Sequence, residues 1–186
     1  IEYYLPKNIL TNDDIAKEFP EWSAEKIKSK IGVESRHIAD KNETALDMAF
    51  EACQKLFSHY DKNKVDFILF CTQSPDYFLP TTACILQDKL GLSKAIGALD
   101  FNLGCSGFVY GLTLAKGLIA SGIAKNILLV TAETYSKFLD KEDKSNRTIF
   151  GDGAAVTIIE KDSTKMNLHF SVGTDGSGYN NLIVEN

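Results

Sequence analysis

The stretch Asp100 to Gly107 reads Asp-Phe-Asn-Leu-Gly-Cys-Ser-Gly, and it sets Cys105 where a buried strand gives way to a helix. Before it, Ala95 to Phe101 runs apolar in the manner of a core strand. After it, Phe108, Leu112, Ala115 and Ile119 recur at helical spacing until Gly122 stops the run behind Ser121. A thiol at the first turn of a helix meets unpaired backbone N–H groups and the positive end of the helix dipole. Both favour thiolate, the nucleophilic form. Gly104 and Gly107 let a substrate come close to the backbone. The competing reading is a small buried hydrophobe.

A cysteine nucleophile usually works with a base, and the histidines on offer are His37, His59 and His169. His59 ends a helix and reads as a surface residue, His169 lies within an apolar strand pattern, and His37 adjoins Arg36 in a loop. None has a spacing that nominates it as the partner of Cys105, so the chain presents a nucleophile without an evident base. Cys53, Cys71 and Cys84 fall on apolar stripes or strand ends and read as core. The four cysteines include no C-x-x-C pair, which speaks against a zinc cluster and for a reduced, cytoplasmic protein with no metal site. Lys26, Lys28 and Lys30 decorate one short helix with Arg36 just beyond. They form a solvated face or a docking surface for phosphates or an acidic carrier protein.

Nucleotide and hydrolase motifs fail in context. Gly151-Asp152-Gly153 leads into the strand pattern Ala-Ala-Val-Thr-Ile-Ile rather than a helix, and no phosphate-binding G-x-x-x-x-G-K-[ST] is present. A nucleophile elbow needs Gly two residues before the nucleophile, where this chain has Leu103.

The elements that position Cys105 alternate. Helices are expected over Asp13–Phe19 (capped by Asn12), Ala24–Ile31 (capped by Ser23, ended by Gly32), Glu43–Tyr60 and Thr81–Leu90. Buried strands are expected over Val65–Cys71, Ala95–Phe101 and Asn126–Ala132, followed by a charged loop at Asp140–Thr148. Ala154–Glu160 and Asn167–Val172, joined by the turn Lys161–Lys165, are expected to form an antiparallel edge. Such alternation predicts an α/β fold with a mostly parallel sheet covered on both faces, and ligands beyond the carboxyl ends of its strands, where Cys105 lies. The chain has 186 residues, 44% of them hydrophobic and 24% charged, which suits one domain or one layered half of something larger. A net charge of −5 argues against a nucleic-acid binder. No apolar run approaches the roughly 20 residues that cross a bilayer. The chain lacks an initial Met, and Ile1-Glu2-Tyr3 reads like the tail of a strand, as in a trimmed chain.

Tyr4-Leu-Pro6, Gly32-Val-Glu-Ser-Arg-His-Ile38, Asn42-Glu-Thr44, Leu79-Pro80, Asp100 to Gly107 and Phe150-Gly-Asp-Gly-Ala154 occur in this order. The series resembles 3-oxoacyl-[acyl-carrier-protein] synthase III, the β-ketoacyl synthase that initiates bacterial fatty-acid synthesis. The resemblance implies a thiolase-like fold of two αβα halves, usually in a homodimer. Residues 1–186 would be the N-terminal half, with the C-terminal half absent from this chain. It also implies that Cys105 accepts an acyl group from acyl-CoA or an acyl carrier protein. The acyl group then passes to a carbanion made by decarboxylating malonyl-[acyl-carrier protein], a step handled by a His and an Asn of the other half. The chemistry uses CoA or phosphopantetheine thioesters as substrates and no cofactor. This chain alone would then fail to condense, and the face meant for the other half should be unusually apolar.

Departures from the family pattern bear on the substrate. The position of a Trp associated with the CoA adenine holds Lys26, with Trp22 four residues earlier. Two arginines associated with CoA phosphates are replaced by Lys30 and Lys144, which keep the charge but lose the bidentate fork. Lys30, Arg36 and Lys144 are the candidate contacts to phosphopantetheine, CoA or carrier. Leu79 stands where the family offers a Phe to the partner subunit's acyl pocket. These changes favour a carrier-bound donor or a specialised pathway, and a different acyl length. Two other readings stay open: a related synthase using the same cysteine for aldol-type condensation or plain acyl transfer, and a non-catalytic half-length partner protein.

Overall fold

Local hydrogen-bond chemistry sets where most helices begin. In a computed structural model that describes residues 1–162 and 169–184, the first helix, α1 (Asn12–Glu18), starts on a capping box. Thr11 accepts from the Asp14 N–H and Asp14 reaches back to Thr11. Thr11 is thus the cap, in place of the expected Asn12, whose side chain is occupied elsewhere. Asn12 is buried; it donates to the Val33 carbonyl at 2.9 Å and accepts from Arg36 at 2.8 Å. Ser23 caps α2 (Ala24–Ile31), which ends as expected on Gly32 with φ of 80°. A second capping box, Thr44 with Asp47, opens α3 (Ala45–Phe57). The next helix, α4 (Thr82–Lys89), receives no bond from the side chain of Thr81. Its cap comes from a strand instead: the Asp100 carboxylate accepts from the Thr82 and Ala83 N–H groups at 2.6 and 2.7 Å.

The central sheet contains β1 (Glu2–Tyr4), β4 (Phe67–Cys71), β5 (Gly97–Phe101), β6 (Asn126–Glu133) and β7 (Gly153–Glu160), in the order β1-β7-β6-β4-β5. A separate antiparallel pair joins β2 (Asn8–Thr11) to β3 (Ser35–Ile38). Strand β4 runs parallel to β5 and β6, whereas β7 is antiparallel to both β6 and β1. Register places Leu69 opposite Leu99 and Leu129, so alternate residues sort to opposite faces. Ile68, Phe70, Leu128, Val130 and Val156 pack under α3 and α4 against Met48, Ala52, Cys53 and Leu86. Leu69, Ile127 and Leu129 face the other way, toward Ala115 and Leu112 of α5 (Gly107–Ala120). Each such fully buried aliphatic side chain contributes about 2 kcal/mol. This mixed α/β sheet, with a parallel core and an antiparallel side, carries helices on both faces as expected.

Several ends shift by a few residues, α3 for example running from Ala45 to Phe57 rather than from Glu43 to Tyr60, and three larger features differ from expectation. Strand β5 begins at Gly97 and is the edge of the sheet among the described residues, half-buried apart from the exposed Leu99. The charged Asp140–Thr148 segment contains one helical turn, α6 (Lys144–Arg147), started by Asp143. The antiparallel side is built by β7 with β1, because the first residues of the chain satisfy the outer edge of β7. Of the expected Asn167–Val172 strand and Lys161–Lys165 turn, residues 163–168 lie outside the described residues, and 169–172 take up no regular element.

Helix α5 is apolar on every side, with Lys116 its one charged residue. Ala115 is fully buried on the sheet, yet Phe108, Val109 and Leu114 on the outward side are 41–46% exposed. A helix of that composition is suited to burial on both sides.

Candidate active site

Cys105 sits in the turn that links β5 to α5. The Gly107 N–H donates to the Gly104 carbonyl at 2.8 Å and closes the turn. Ser106 is the N-cap, so the thiol lies one residue outside the cap rather than in the first helical turn that the spacing predicts. The Ser106 side chain makes no capping bond. That leaves the first-turn N–H groups without the oxygen that caps usually supply. The Cys105 residue is exposed and lines a cavity of about 570 Å³.

The cavity lies where the parallel strands end. Cys71 closes β4, Glu133 closes β6, and Leu103 and Gly104 follow β5; all of them line it. Gly107 has no room for a side chain, since a Cβ there would meet the Cys71 sulfur at 2.3 Å. The Cys71 thiol donates to the Leu103 carbonyl at 3.1 Å and thereby ties β4 to the turn that carries Cys105. Burial pushes the Cys71 thiol up to about 11, and that of Cys53 up to about 12. Both stay neutral at physiological pH and belong to the core, as expected. Cys84, expected in the core, is exposed, because α4 turns that side away from the sheet. Brief iodoacetamide treatment of the folded protein at pH 7.5 should therefore label Cys84 and Cys105 and spare Cys53 and Cys71. At that pH a thiol titrating near 11 is thiolate in about one molecule in three thousand. Peptide mass spectrometry would read the pattern, and fast labelling of Cys71 would contradict it.

Gly151-Asp152-Gly153 forms part of the cavity wall and is architectural. Asp152 is buried and accepts from the Ala39 N–H at 2.8 Å, the Ser136 N–H at 2.9 Å and the Ser136 hydroxyl at 2.5 Å. Its own N–H donates to the His37 carbonyl at 2.8 Å. A Cβ on Gly151 would meet that same carbonyl at 2.9 Å, so the approach needs glycine. Tyr135 and Phe150, with ring centroids 4.7 Å apart, complete the wall.

Glu133 joins two strand ends. Its carboxylate accepts from the Gln73 N–H at 2.7 Å and from the Ser74 hydroxyl at 2.8 Å. Burial pushes its carboxyl above the ordinary glutamate range. The folded state thus holds this proton more tightly than the unfolded chain. Ionising Glu133 costs stability as pH rises from the ordinary range through the folded value.

The structure does not bring the predicted basic residues to this cavity. Lys30 is exposed near the end of α2. Lys144 forms an ion pair with Glu21. Arg36 is buried in β3 rather than exposed in a loop. Its Nε and Nη2 donate to the Thr148 carbonyl at 2.9 and 2.5 Å and its Nη1 to Asn12, so it ties β3 to the chain after α6. Lys26 lies over the Trp22 ring at 5.5 Å from its centroid. The histidines stay apart from Cys105 as well. His37 is in β3, its Nδ1 2.6 Å from the Pro6 carbonyl; His59 meets Glu2 at the surface; His169 is exposed. No histidine lines the cavity, and no cluster of metal-ligating side chains occurs among the described residues. Among them, too, no helix is long and apolar enough to cross a membrane. Sequence reasoning missed Gln73, Glu133, Tyr135 and Phe150. Gln73 and Glu133 had a usable signal, since each sits at or just past the carboxyl end of a strand read as parallel.

Comparison with known proteins accords with this geometry. The profile of the family 3-Oxoacyl-[acyl-carrier-protein (ACP)] synthase III matches residues 99–176, which include Cys105. The chain is 39% identical over 182 residues to beta-ketoacyl-[acyl-carrier-protein] synthase III 2 of Halalkalibacterium halodurans, a match covering 96% of this chain and 54% of the relative. A second relative of that description, from Staphylococcus epidermidis, is 42% identical over 96% of the chain and 55% of its own length. A crystal structure of a 3-oxoacyl-(acyl-carrier-protein) synthase III superposes with a TM-score of 0.96 at 52% identity, over 98% of this chain and 55% of the other. The synthase III of Thermus thermophilus superposes with a TM-score of 0.90 at 31% identity, over 98% and 57%. The chain thus spans about half the length of the curated relatives it matches. With the strand order, the cysteine turn and this likeness in agreement, the chain has the thiolase-like α/β fold and matches 3-oxoacyl-[acyl-carrier-protein] synthase III over nearly its whole length.

Proposed function

We propose that this chain is the N-terminal half of a condensing acyltransferase and that Cys105 is its acyl-accepting nucleophile. The observation that carries the reading is the exposed residue Cys105 in the lining of a cavity formed at the carboxyl ends of β4, β5 and β6. The Cys105 sulfur attacks the carbonyl of an acyl-CoA or acyl-carrier thioester. The C–S bond to the donor breaks, the donor thiol leaves with a proton, and an S-acyl cysteine remains. Backbone N–H groups of the turn and the uncapped start of α5 hold the negative charge on the carbonyl oxygen. Malonyl-[acyl-carrier protein] then loses CO₂. The resulting carbanion attacks the acyl carbonyl and expels the Cys105 thiolate, giving a 3-oxoacyl thioester.

The decarboxylation requires a base and donors from a second half, which fits the cavity's lack of histidine. The outward apolar side of α5 is the face on which that half packs. The protein works as a homodimer in the cytoplasm, with no cofactor beyond its thioester substrates. The open edge of β5 and the fully exposed Phe78 beside Leu79 support a partner at that side of the sheet. Lys30, which is exposed and has no partner among the described residues, keeps a role toward a phosphate or carrier. Arg36 is a strut, and Lys144 would have to leave Glu21 to take part.

The test is intact-mass spectrometry of the full-length protein after incubation with acyl-CoA and acyl-carrier thioesters of several lengths. One acyl group on the peptide containing Cys105 is the expected result. Well-folded protein that takes no acyl group from any donor would remove the reading in favour of a non-catalytic role.

A further inference from the structure

The β4–α4 connection carries a polar group into the cavity that the reaction as proposed does not use. Gln73 lines the cavity beside Cys105, and its side-chain oxygen lies so close to Gly104 that a Cβ there would meet it at 2.7 Å. The residue is exposed, and its carboxamide has no hydrogen-bond partner among the described residues. Its backbone is fixed nonetheless. Glu133 accepts from the Gln73 N–H, Ser74 donates to the other carboxylate oxygen, and the Thr134 N–H donates to the Ser74 hydroxyl at 2.8 Å. The Ser74 N–H in turn donates to the Thr72 hydroxyl at 3.0 Å. Two strand ends therefore hold one free carboxamide against the turn of the nucleophile. The surrounding wall is largely apolar, with Leu103, Phe108 and Phe150 among its side chains.

We infer that Gln73 is a specificity-determining residue for the acyl group, disfavouring long saturated chains and favouring chains with a hydroxyl or keto group within its reach. The inference rests on the proposed role of Cys105. In the open cavity water hydrates the carboxamide. A saturated chain that fills the cavity strips this water and leaves both the N–H and C=O groups unpaired, an unfavourable exchange. A short acyl group leaves the water in place. A chain carrying a hydroxyl or keto oxygen replaces the water with a hydrogen bond. Glu133 acts through Gln73 as a positioning residue, since it fixes the backbone from which the carboxamide projects.

The experiment measures Cys105 acylation rates in the full-length protein with acetyl-, octanoyl- and 3-hydroxyoctanoyl-CoA, or the same acyl groups on a carrier if CoA donors are silent. It compares the parent with Gln73→Leu, which keeps the bulk and removes the amide. The parent should acylate faster with the hydroxylated than with the saturated eight-carbon donor. In Gln73→Leu the octanoyl-to-acetyl rate ratio should rise about 10-fold or more and the hydroxyl preference should vanish. Gln73→Asn, which retains an amide on a shorter stem, should fall between the two. Ratios unchanged in both variants, with Cys105 still acylated and the melting temperature unaltered, would overturn the inference and leave the proposed nucleophile standing. Absence of acylation in the parent with every donor would overturn both.

Discussion

Replacing Cys105 by alanine in the full-length protein should abolish the covalent acyl adduct and reduce condensation by about 10⁴-fold or to background. The size follows from the step removed. Without the sulfur no S-acyl intermediate forms, and the cavity has no second thiol able to substitute: Cys71 is buried, holds the Leu103 carbonyl, and titrates near 11. The same exposure that makes Cys105 accessible makes its loss harmless to folding. Stability should stay within about 0.5 kcal/mol of the parent, as for surface substitutions generally. Cys105→Ser separates chemistry from shape, since its hydroxyl keeps a similar size but is a far weaker nucleophile at neutral pH. It should be nearly as inactive as the alanine variant. An adduct that survives in Cys105→Ala, mapped to Cys84 or to any other residue, would show that the nucleophile is misassigned.

Asp152→Ala should have the largest effect on stability, a loss of about 3 kcal/mol in urea or thermal unfolding of the full-length protein. One buried carboxylate serves the Ala39 N–H and both donors of Ser136, and these lie just after β3 and just after β6. Removing it leaves three donors to find water or remain unpaired next to the cavity wall. Asp152→Asn keeps one carbonyl oxygen but turns an NH₂ toward those donors, so it should fall between parent and alanine. A loss below 1 kcal/mol in Asp152→Ala would show that solvent replaces the carboxylate and that the turn is looser than its hydrogen bonds imply.

Legibility followed the range of the forces involved. Ser23, Gly32 and Gly122 mark helix ends through interactions that span at most a few residues, and each end lies where the spacing placed it. The Thr11 and Thr44 boxes are equally local, although Asn12, itself a good capping residue, drew the first helix start one position too far. Periodicity found β4 and β6 because a strand covered on both faces must be apolar throughout. It misplaced β5 in the core, since half-buried edge strands can be as apolar as central ones. Cys105 was legible because a strand, a glycine-flanked cysteine and a helix are consecutive in the chain. The contact between Gln73 and Glu133 was not, because they are sixty residues apart and meet only through the parallel pairing of β4 with β6.

Arg36 shows the same division from the other side. An arginine within a series of basic residues looked like a ligand contact, but its guanidinium donates to the Thr148 carbonyl, 112 positions away, and is buried. Lys144 was read in a charged loop as a contact to a phosphate or carrier, yet it opens α6 and pairs with Glu21. By itself the sequence determined the alternation of elements, the α/β class and the place of Cys105 between a strand and a helix. These are written in residue types and in spacings shorter than a helix. The tertiary structure decided which charges are spent inside the fold, which strand forms the edge, what caps α4, and which polar groups share the cavity with Cys105. Those outcomes depend on distances between residues far apart in the chain, which only sheet register and helix packing set.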